Sequence, residues 1–302
     1  MYYYWLYGSR VVSDLEFPQL LVWENGEQGS PVRAEIEIRG GGMPEEAREK
    51  AAGLYEFGRE RSWLLNKTCS LVMEKGRKIT YFLREGGKEA YLRTYILGWG
   101  MSMLALQRGE LAIHCSAVAR KGEAVLIAGE SGSGKSTLTT AFLRQGYRLM
   151  ADDMAIVRCD GQGGAWAEAA FPYQKLCRRE ALAAPVPREE LIYIDEEKDK
   201  FLVPCRESFS RESAGVKAML ILRRTDGGEV EARRLRGMEL FFACADNLFL
   251  RKLLGERKFE ADVGQKCLEL AACLPMYSIG RPEGRDTTGE VAQRAFECLD
   301  SQ

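Results

Sequence analysis

Hydrophobic and polar positions alternate in short runs along the first hundred residues, and glycines and charged residues separate the runs. The alternation predicts short strands at 20–23, 32–38, 70–73 and 79–83. From 89 to 107, apolar residues recur at helical spacing, and Gly109 follows where a helix C-cap is expected. Residues 1–105 are therefore predicted to form an α+β domain, and their pattern indicates no chemistry.

A different order of elements begins after residue 105. Two apolar runs at 111–119 and 123–128 predict strands joined by a turn, and helical spacing follows at 136–145. Strands are predicted again at 147–151, 154–158 and 216–222, and helices at 238–254, 263–274 and 289–299. Alternating strands and helices are typical of an α/β fold. Residues 106–302 are therefore predicted to be a second domain.

Composition and charge exclude several classes of protein. The chain has 302 residues, of which 46% are hydrophobic and 29% are charged, as in globular domains. The net charge is -1 with no long run of like charges, which argues against a nucleic-acid partner. The longest uncharged stretch, 94–107, is too short to cross a membrane as a helix. No membrane partner is expected.

The cysteines and the N-terminus indicate the compartment. Nine cysteines are scattered without CxxC spacing, which is typical of reduced thiols and not of a disulfide framework or a zinc site. The aromatic N-terminus lacks the features of a secretion signal. The expectation is a cytoplasmic protein.

One motif carries specific chemistry. The segment GESGSGKST matches the GxxxxGK[ST] phosphate-binding loop, and an apolar strand precedes it while an amphipathic helix follows. We call this segment the glycine-rich loop; its residues are Gly129, Glu130, Ser131, Gly132, Ser133, Gly134, Lys135, Ser136 and Thr137. Lys135 is expected to contact the β and γ phosphates of ATP, and the Ser136 hydroxyl to bind Mg²⁺.

Three further polar residues flank the loop. Asp152 and Asp153 end the strand that follows the loop helix, where carboxylates can hold magnesium or accept the proton of an attacking hydroxyl. A solvated turn is the alternative interpretation of this acidic pair. His114 is the single histidine, and in an apolar strand such a residue is more often packed and hydrogen-bonded than catalytic.

With these features placed, residues 114–158 resemble the catalytic domain of bacterial HPr kinase/phosphorylase: a histidine before the first strand, a P-loop, a helix ending in glycine, and then ADD. The resemblance implies a fold related to ATP-dependent phosphoenolpyruvate carboxykinase, with a bent mixed sheet. It also implies that Asp152 is the base, that Asp153 assists the metal or substrate, and that His114 supports the reacting group. A homo-oligomer is implied as well, although no residue pattern requires one.

The chain departs from that family downstream, where the EIRG-like segment is missing between Gly161 and Ser210. Its AFPYQKLCRRE and DKFLVP segments instead resemble divergent HPr-kinase-like proteins of peptide natural-product pathways, such as lasso peptides. The implied acceptor is then a serine of a precursor peptide, and reverse phosphorylase activity is left open. Lys175, Lys200 and Arg281 are candidate cationic contacts, with ordinary exposed side chains as the alternative.

The leading hypothesis is an ATP- and Mg²⁺-dependent kinase for a serine or threonine hydroxyl on a peptide or small protein. A kinase for a small hydroxyl metabolite would need the same ATP site. A nucleotide-driven switch is disfavoured because NKxD and LSGGQ-like motifs are missing. A non-catalytic ATP-binding scaffold is disfavoured by the intact Lys135, Ser136 and Asp152.

Overall fold

The computed structural model describes residues 1–23, 35–45, 53–195, 199–251 and 261–300. Their contacts form two compact units. Unit 1 contains the described residues up to Glu110 and those of 171–204, and unit 2 contains Leu111–Ala170, Cys205–Arg251 and 261–300. The contacts thus group 171–204 with the N-terminal residues, whereas the sequence pattern places this segment in the second domain. As a division into folding domains, the boundary between 105 and 106 stays a prediction.

Strands dominate both units. The strands with described bounds are β1 (Tyr2–Leu6), β2 (Ser9–Ser13), β3 (Leu21–Val22), β4 (Glu35–Gly40), β5 (Leu54–Glu56), β6 (Arg61–Leu65), β7 (Cys69–Glu74), β8 (Lys78–Leu83), β9 (Leu111–Ile113), β10 (Cys115–Arg120), β11 (Glu123–Gly129), β12 (Arg148–Ala151), β13 (Ala155–Cys159), β14 (Ala165–Ala167), β15 (Tyr173–Cys177), β16 (Ile192–Asp195), β17 (Lys200–Pro204), β18 (Ala214–Thr225), β19 (Glu231–Arg234) and β20 (Met276–Pro282). The α-helices with described bounds are α1 (Glu89–Tyr95), α2 (Met101–Gln107), α3 (Lys135–Arg144), α4 (Arg178–Ala183), α5 (Met238–Asp246), α6 (Ala261–Cys273) and α7 (Thr288–Asp300).

Unit 1 is built on a mixed sheet with the strand order β3-β1-β2-β4-β8-β7-β6-β5. The β2–β4 and β4–β8 pairs are parallel, and the remaining pairs are antiparallel. A second, small sheet has the order β15-β17-β16. A π-helical turn, Ile96–Gly100, joins α1 to α2, so the helix predicted over 89–107 is confirmed with this irregularity at its centre. Unit 1 therefore has the predicted α+β character.

Unit 2 contains a curled, mixed sheet with the order β12-β10-β11-β18-β14-β13-β9, and β20 and β19 extend it from β18. The β11–β18 and β18–β20 pairs are parallel. Strand β10 is antiparallel to both β11 and β12 and lies between them. The expected α/β class and mixed sheet are confirmed.

Burial explains why the centre of this sheet forms. Residues 124–128 of β11 are 0–1% exposed, as expected for an apolar strand covered on both faces. Helix α3 packs on β10 and β11, and its Phe142 is fully buried between the rings of Tyr147 and Phe296, at centroid distances of 4.9 and 4.7 Å. This packing places the first turn of α3 directly after the end of β11.

Two predicted elements of unit 2 differ from the structure. The strand predicted at 111–119 is divided at His114, because β9 pairs with β13 while β10 pairs with β11 and β12. The helix predicted at 238–254 ends at Asp246, because the next residues bond to the β9–β10 junction: the His114 amide donates to the Asn247 carbonyl at 2.7 Å, and the Phe249 amide to that of Ala112 at 2.8 Å.

Several strands have no predicted counterpart, among them β2, β5, β6, β19 and β20. Of the strand predicted at 32–38, residues 32–34 lie outside the described residues, and so do residues 252–254 of the predicted helix. Across the described part of the chain, no helix combines the length and apolar character needed to cross a membrane.

Candidate functional site

The glycine-rich loop leaves β11 through a position that requires glycine. Gly129 has φ +134°, and a Cβ atom there would lie 2.4 Å from the Leu222 carbonyl oxygen and 2.8 Å from Ser133 Oγ. Both distances are well below van der Waals contact. The parallel neighbour β18, which contains Leu222, thus approaches the loop so closely that only a glycine fits.

The loop presents hydrogen-bond donors that the protein does not use. Within the described residues, the amides of Ser131, Gly132 and Gly134 donate to no carbonyl or side chain, and the N-cap of α3 has no side-chain cap. The Ser133 hydroxyl is buried and has no hydrogen-bond partner among the described residues. Unused amides at a helix N-terminus bind anions, because the helix dipole adds positive potential there. The loop therefore fits a phosphate group.

Two cationic side chains hold the loop through its carbonyl oxygens. Lys135 Nζ donates to the carbonyls of Gly129 at 2.7 Å and Glu130 at 3.1 Å. From β20, Arg281 Nε donates to the Ser133 carbonyl at 2.8 Å, and a terminal nitrogen donates to that of Gly132 at 3.0 Å. Because these four carbonyl oxygens accept hydrogen bonds, the peptide groups that carry them keep a defined orientation.

Strand β10 brings the loop and the acidic pair to the same end of the sheet. Its pairing of Cys115 with Ala128 of β11, continued by one residue, sets His114 opposite Gly129. Its pairing of Ala117 with Ala151 of β12 likewise sets Ser116 opposite Asp152. Neighbouring strands lie about 4.8 Å apart, and His114 and Ser116 are two residues apart along the chain, so the backbones at Gly129 and Asp152 are roughly 12 Å apart. This gap has the scale of a phosphoryl group with an approaching hydroxyl.

Asp152 is oriented by a residue that the sequence analysis did not single out. The Ser116 hydroxyl donates to Asp152 Oδ1 at 2.5 Å, and Ser116 is 2% exposed. A hydrogen bond to an ionised carboxylate is stronger than one between neutral groups. The bond therefore restrains the rotation of the Asp152 carboxylate. The only sequence signal for Ser116 is its place two residues after His114.

His114 and Asp153 form a second polar pair beside the first. His114 Nδ1 lies 2.8 Å from the Asp153 carbonyl oxygen and 3.8 Å from its carboxylate Oδ1. Since a carbonyl only accepts, Nδ1 is the donor in this hydrogen bond. Asp153 has φ +68°, a conformation that aspartate tolerates better than most residues. That conformation places its carbonyl against the histidine ring.

The thiols nearest the acidic pair are not reactive groups. Burial raises the pKa of Cys115 from 9.0 to about 12, with Asp152 and Asp153 adding to the increase and Lys135 opposing it. Burial and then Asp152 also raise the pKa of Cys205 to about 12. Because both thiols stay protonated at neutral pH, neither is a nucleophile.

A small cavity of about 100 Å³ opens beside the loop. Ser133, Gly134 and Thr137 contribute from the loop side, and Leu222 and Val291 contribute apolar surface. Asp286 and Thr287 add polar groups where the chain enters α7. The loop is thus continuous with a cavity of mixed polarity in the same unit.

The remaining candidate residues are distributed as follows. Ser136 and Thr137 lie in the first turn of α3, where Thr137 is exposed and Ser136 is half-buried, and Glu130 and Ser131 are exposed. Lys175 and Lys200 lie in unit 1 on β15 and β17, and both are half-buried. Among the described residues, no group of three or more His, Cys, Asp or Glu side chains is arranged to hold a metal ion. Ser136 and Asp153 stay predicted as magnesium ligands that act together with phosphate oxygens, as Mg²⁺ usually binds.

Comparison with known proteins gives distant structural likenesses. No protein-family model and no curated protein matches the sequence. Among solved structures, the Hpr(Ser) kinase/phosphatase from Coxiella burnetii is similar, with a TM-score of 0.31 and 13% sequence identity over 63% of this chain and 94% of that chain.

Proposed function

We propose that this chain is an ATP- and Mg²⁺-dependent kinase that phosphorylates a serine or threonine hydroxyl on a peptide or small protein. The observation that carries the proposal is the position of β10, which sets the glycine-rich loop and Asp152 on either side of one strand. A phosphate-binding loop alone would serve a switch equally well. A carboxylate held opposite the loop is the additional group that transfer to a hydroxyl needs.

The chemistry follows from these groups. The acceptor oxygen attacks the γ-phosphorus of ATP, the bond from that phosphorus to the β,γ-bridging oxygen breaks, and ADP leaves. Asp152 accepts the hydroxyl proton, and Ser116 restrains the carboxylate through Oδ1. The loop amides and Lys135 bind the phosphates. Ser136 and Asp153 would hold magnesium, which would neutralise part of the phosphate charge.

His114 is a positioning residue in this scheme. Its Nδ1 proton donates to the Asp153 carbonyl, which orients the peptide unit between Asp153 and Met154, next to the Asp152 carboxylate. Because the transition state of phosphoryl transfer is loose, alignment of hydroxyl and phosphate contributes more than the strength of the base.

The test is a transfer assay with labelled ATP, magnesium and the peptides encoded beside the gene for this chain. Lys135→Ala should abolish labelling, whereas Lys217→Ala, a lysine of β18 paired with Glu123, should not. Asp152→Asn should lower the transfer rate by about 100-fold or more while ATP binding is kept. Asp160→Asn is the matched control, because Asp160 lies in an exposed turn of unit 2 and bonds to the Gln162 and Gly164 amides.

The outcomes separate the alternatives. Equal loss of ATP binding and transfer in Asp152→Asn would contradict the role of Asp152. Label that appears only in free phosphate would favour a switch or scaffold. Label on a small hydroxyl metabolite, and on none of the peptides, would move the acceptor to the metabolite class.

A further inference from the structure

A cleft rich in positive charge lies in unit 2, away from the residues discussed so far. Its volume is about 590 Å³, and Glu212 is the single carboxylate among the described residues that line it. We call it the basic cleft; its cationic residues are Arg120, Lys121, Arg148, Arg206 and Arg211. The whole chain has 43 basic and 44 acidic residues. The ratio of five basic residues to one acidic residue in the cleft therefore shows that positive charge is concentrated there, since the chain as a whole is nearly balanced.

The fold brings three segments together to form this cleft. The β10–β11 turn supplies Arg120 and Lys121, the start of β12 supplies Arg148, and residues 206–213 run along the outer edge of β12. That edge is closed by the Ser210 amide, which donates to the Leu149 carbonyl at 2.7 Å. The basic cleft thus has walls that are anchored by backbone hydrogen bonds.

Two of the arginines are held in place by neutral groups. The Arg148 guanidinium donates to the carbonyls of Phe209 at 3.1 Å and Glu207 at 2.9 Å. Arg120 donates to the Gln145 carbonyl at 3.1 Å, and its guanidinium lies 4.3 Å from the centroid of the Tyr147 ring. Each guanidinium has five N–H donors, so these bonds leave donors for a ligand. Side chains positioned in advance lose less entropy on binding.

Most of the cationic side chains of the cleft have no ion-pair partner among the described residues. Over the described part of the chain, Arg120, Lys121, Arg148 and Arg211 have no carboxylate partner. Elsewhere in unit 2 comparable arginines are paired, such as Arg233 with Glu239 at 2.6 Å. Uncompensated like charges repel one another, and an anionic ligand relieves that repulsion.

We propose that the basic cleft binds an acidic segment of the polypeptide acceptor, four to six residues from the hydroxyl that is phosphorylated. This inference rests on the proposed kinase function. Arg148 and Asp152 are at opposite ends of β12, four residues apart, which corresponds to roughly 13 Å of extended chain. A peptide whose hydroxyl lies at Asp152 reaches the cleft over a similar number of its own residues.

A peptide fits this cleft better than a nucleic acid. Phe209, the sole aromatic residue among those described as lining the cleft, is 4% exposed and offers no ring face to a base. Single strands are bound by basic grooves combined with exposed aromatic rings. Carboxylates of an extended peptide need only the guanidinium and ammonium donors that the cleft provides.

The test measures binding of a fluorescein-labelled hexaglutamate peptide to the full chain by anisotropy, without ATP. The double variant Lys121→Glu/Arg211→Glu should weaken binding about tenfold or more at low salt. The matched control is Arg77→Glu/Lys78→Glu, which changes the net charge equally at two exposed positions of unit 1. Equal weakening by both variants, no binding to the unmodified chain, or tighter binding of an oligonucleotide of equal charge would each overturn the proposal.

A kinetic arm separates this inference from the kinase assignment. Synthetic peptides carry one serine and three glutamates centred five residues away, or glutamines at those positions. The glutamate peptide should have the lower KM, and the cleft variant should remove that difference with no change in the KM for ATP. Phosphoryl transfer with the same KM for the glutamate and glutamine peptides would overturn the cleft proposal and leave the kinase function intact. Hexaglutamate binding without any transfer contradicts the kinase function and leaves the cleft as an acidic-peptide site.

Discussion

The close approach of β18 to Gly129 predicts how two glycines of one loop differ in their tolerance of alanine. In Gly129→Ala, the new methyl group would lie 2.4 Å from the Leu222 carbonyl oxygen, and the residue would keep φ +134°. A non-glycine residue in such a conformation costs up to about 3 kcal/mol, and relief of the clash requires a shift of β11 or β18. In Gly132→Ala, φ is +79° and no heavy atom lies within 4 Å, so the cost is about 1 kcal/mol.

Urea unfolding followed by circular dichroism tests this difference. With a slope of about 2–3 kcal/mol per molar urea, Gly129→Ala should lower the midpoint by about 1 M, and Gly132→Ala by less than half of that. Hydrogen exchange of the β11 and β18 amides should show that the loss is local to this strand pair. Equal midpoints for the two variants would refute the reasoning, because only Gly129 combines a φ of +134° with the close approach of Leu222.

Three further predictions concern groups around the loop. Arg281→Lys retains the charge but loses one of the two hydrogen bonds to the loop carbonyls. The affinity for ATP, measured by calorimetry, should therefore be about tenfold lower. Arg224→Lys on β18 is the control and should leave the affinity for ATP unchanged. Ser116→Ala removes the hydrogen bond to Asp152 and should lower kcat more than it raises the KM for ATP. Ser116→Thr keeps a hydroxyl and should have a kcat between those of Ser116→Ala and the unmodified chain. Because burial raises the pKa of Cys115 from 9.0 to about 12, the unfolded state loses that proton first as pH rises. The free energy of unfolding should therefore fall between pH 9 and about 12, and less steeply in Cys115→Ala, as measured by urea titration at several pH values.

Local patterns were sufficient for the elements that surround the loop. The predicted strand 123–128 and helix 136–145 are found as β11 and α3 within one residue at each end. Both predictions rested on neighbours in sequence: an uninterrupted apolar run, glycines in the loop, and Gly146 after the helix. Such signals reflect backbone conformation and burial, which a short stretch of chain determines largely by itself.

Local sequence patterns do not predict which segments distant in the chain pair with each other. The run 111–119 reads as one strand, and its division at His114 depends on bonds to Asn247 and Phe249, more than a hundred residues later. The approach of Leu222 to Gly129 and the bonds from Arg281 to the loop have the same origin. The grouping of 171–204 with unit 1 likewise reflects contacts that no local periodicity contains.

The position of Asp152 shows that the geometry behind its sequence-based prediction was incomplete. Its place near the phosphates was argued from the rule that ligands bind at the carboxyl ends of parallel strands. In the structure, β12 does not neighbour β11, and the strand between them is antiparallel to both. The amino end of β10 therefore lies beside the carboxyl ends of β11 and β12. That arrangement adds Ser116 and His114 to the same edge, two side chains that a parallel neighbour would have carried to the opposite end of the sheet. The antiparallel strand thus accounts for why His114 and Ser116 lie beside an acidic pair that is 36 residues or more further along the chain, at the edge that carries the glycine-rich loop.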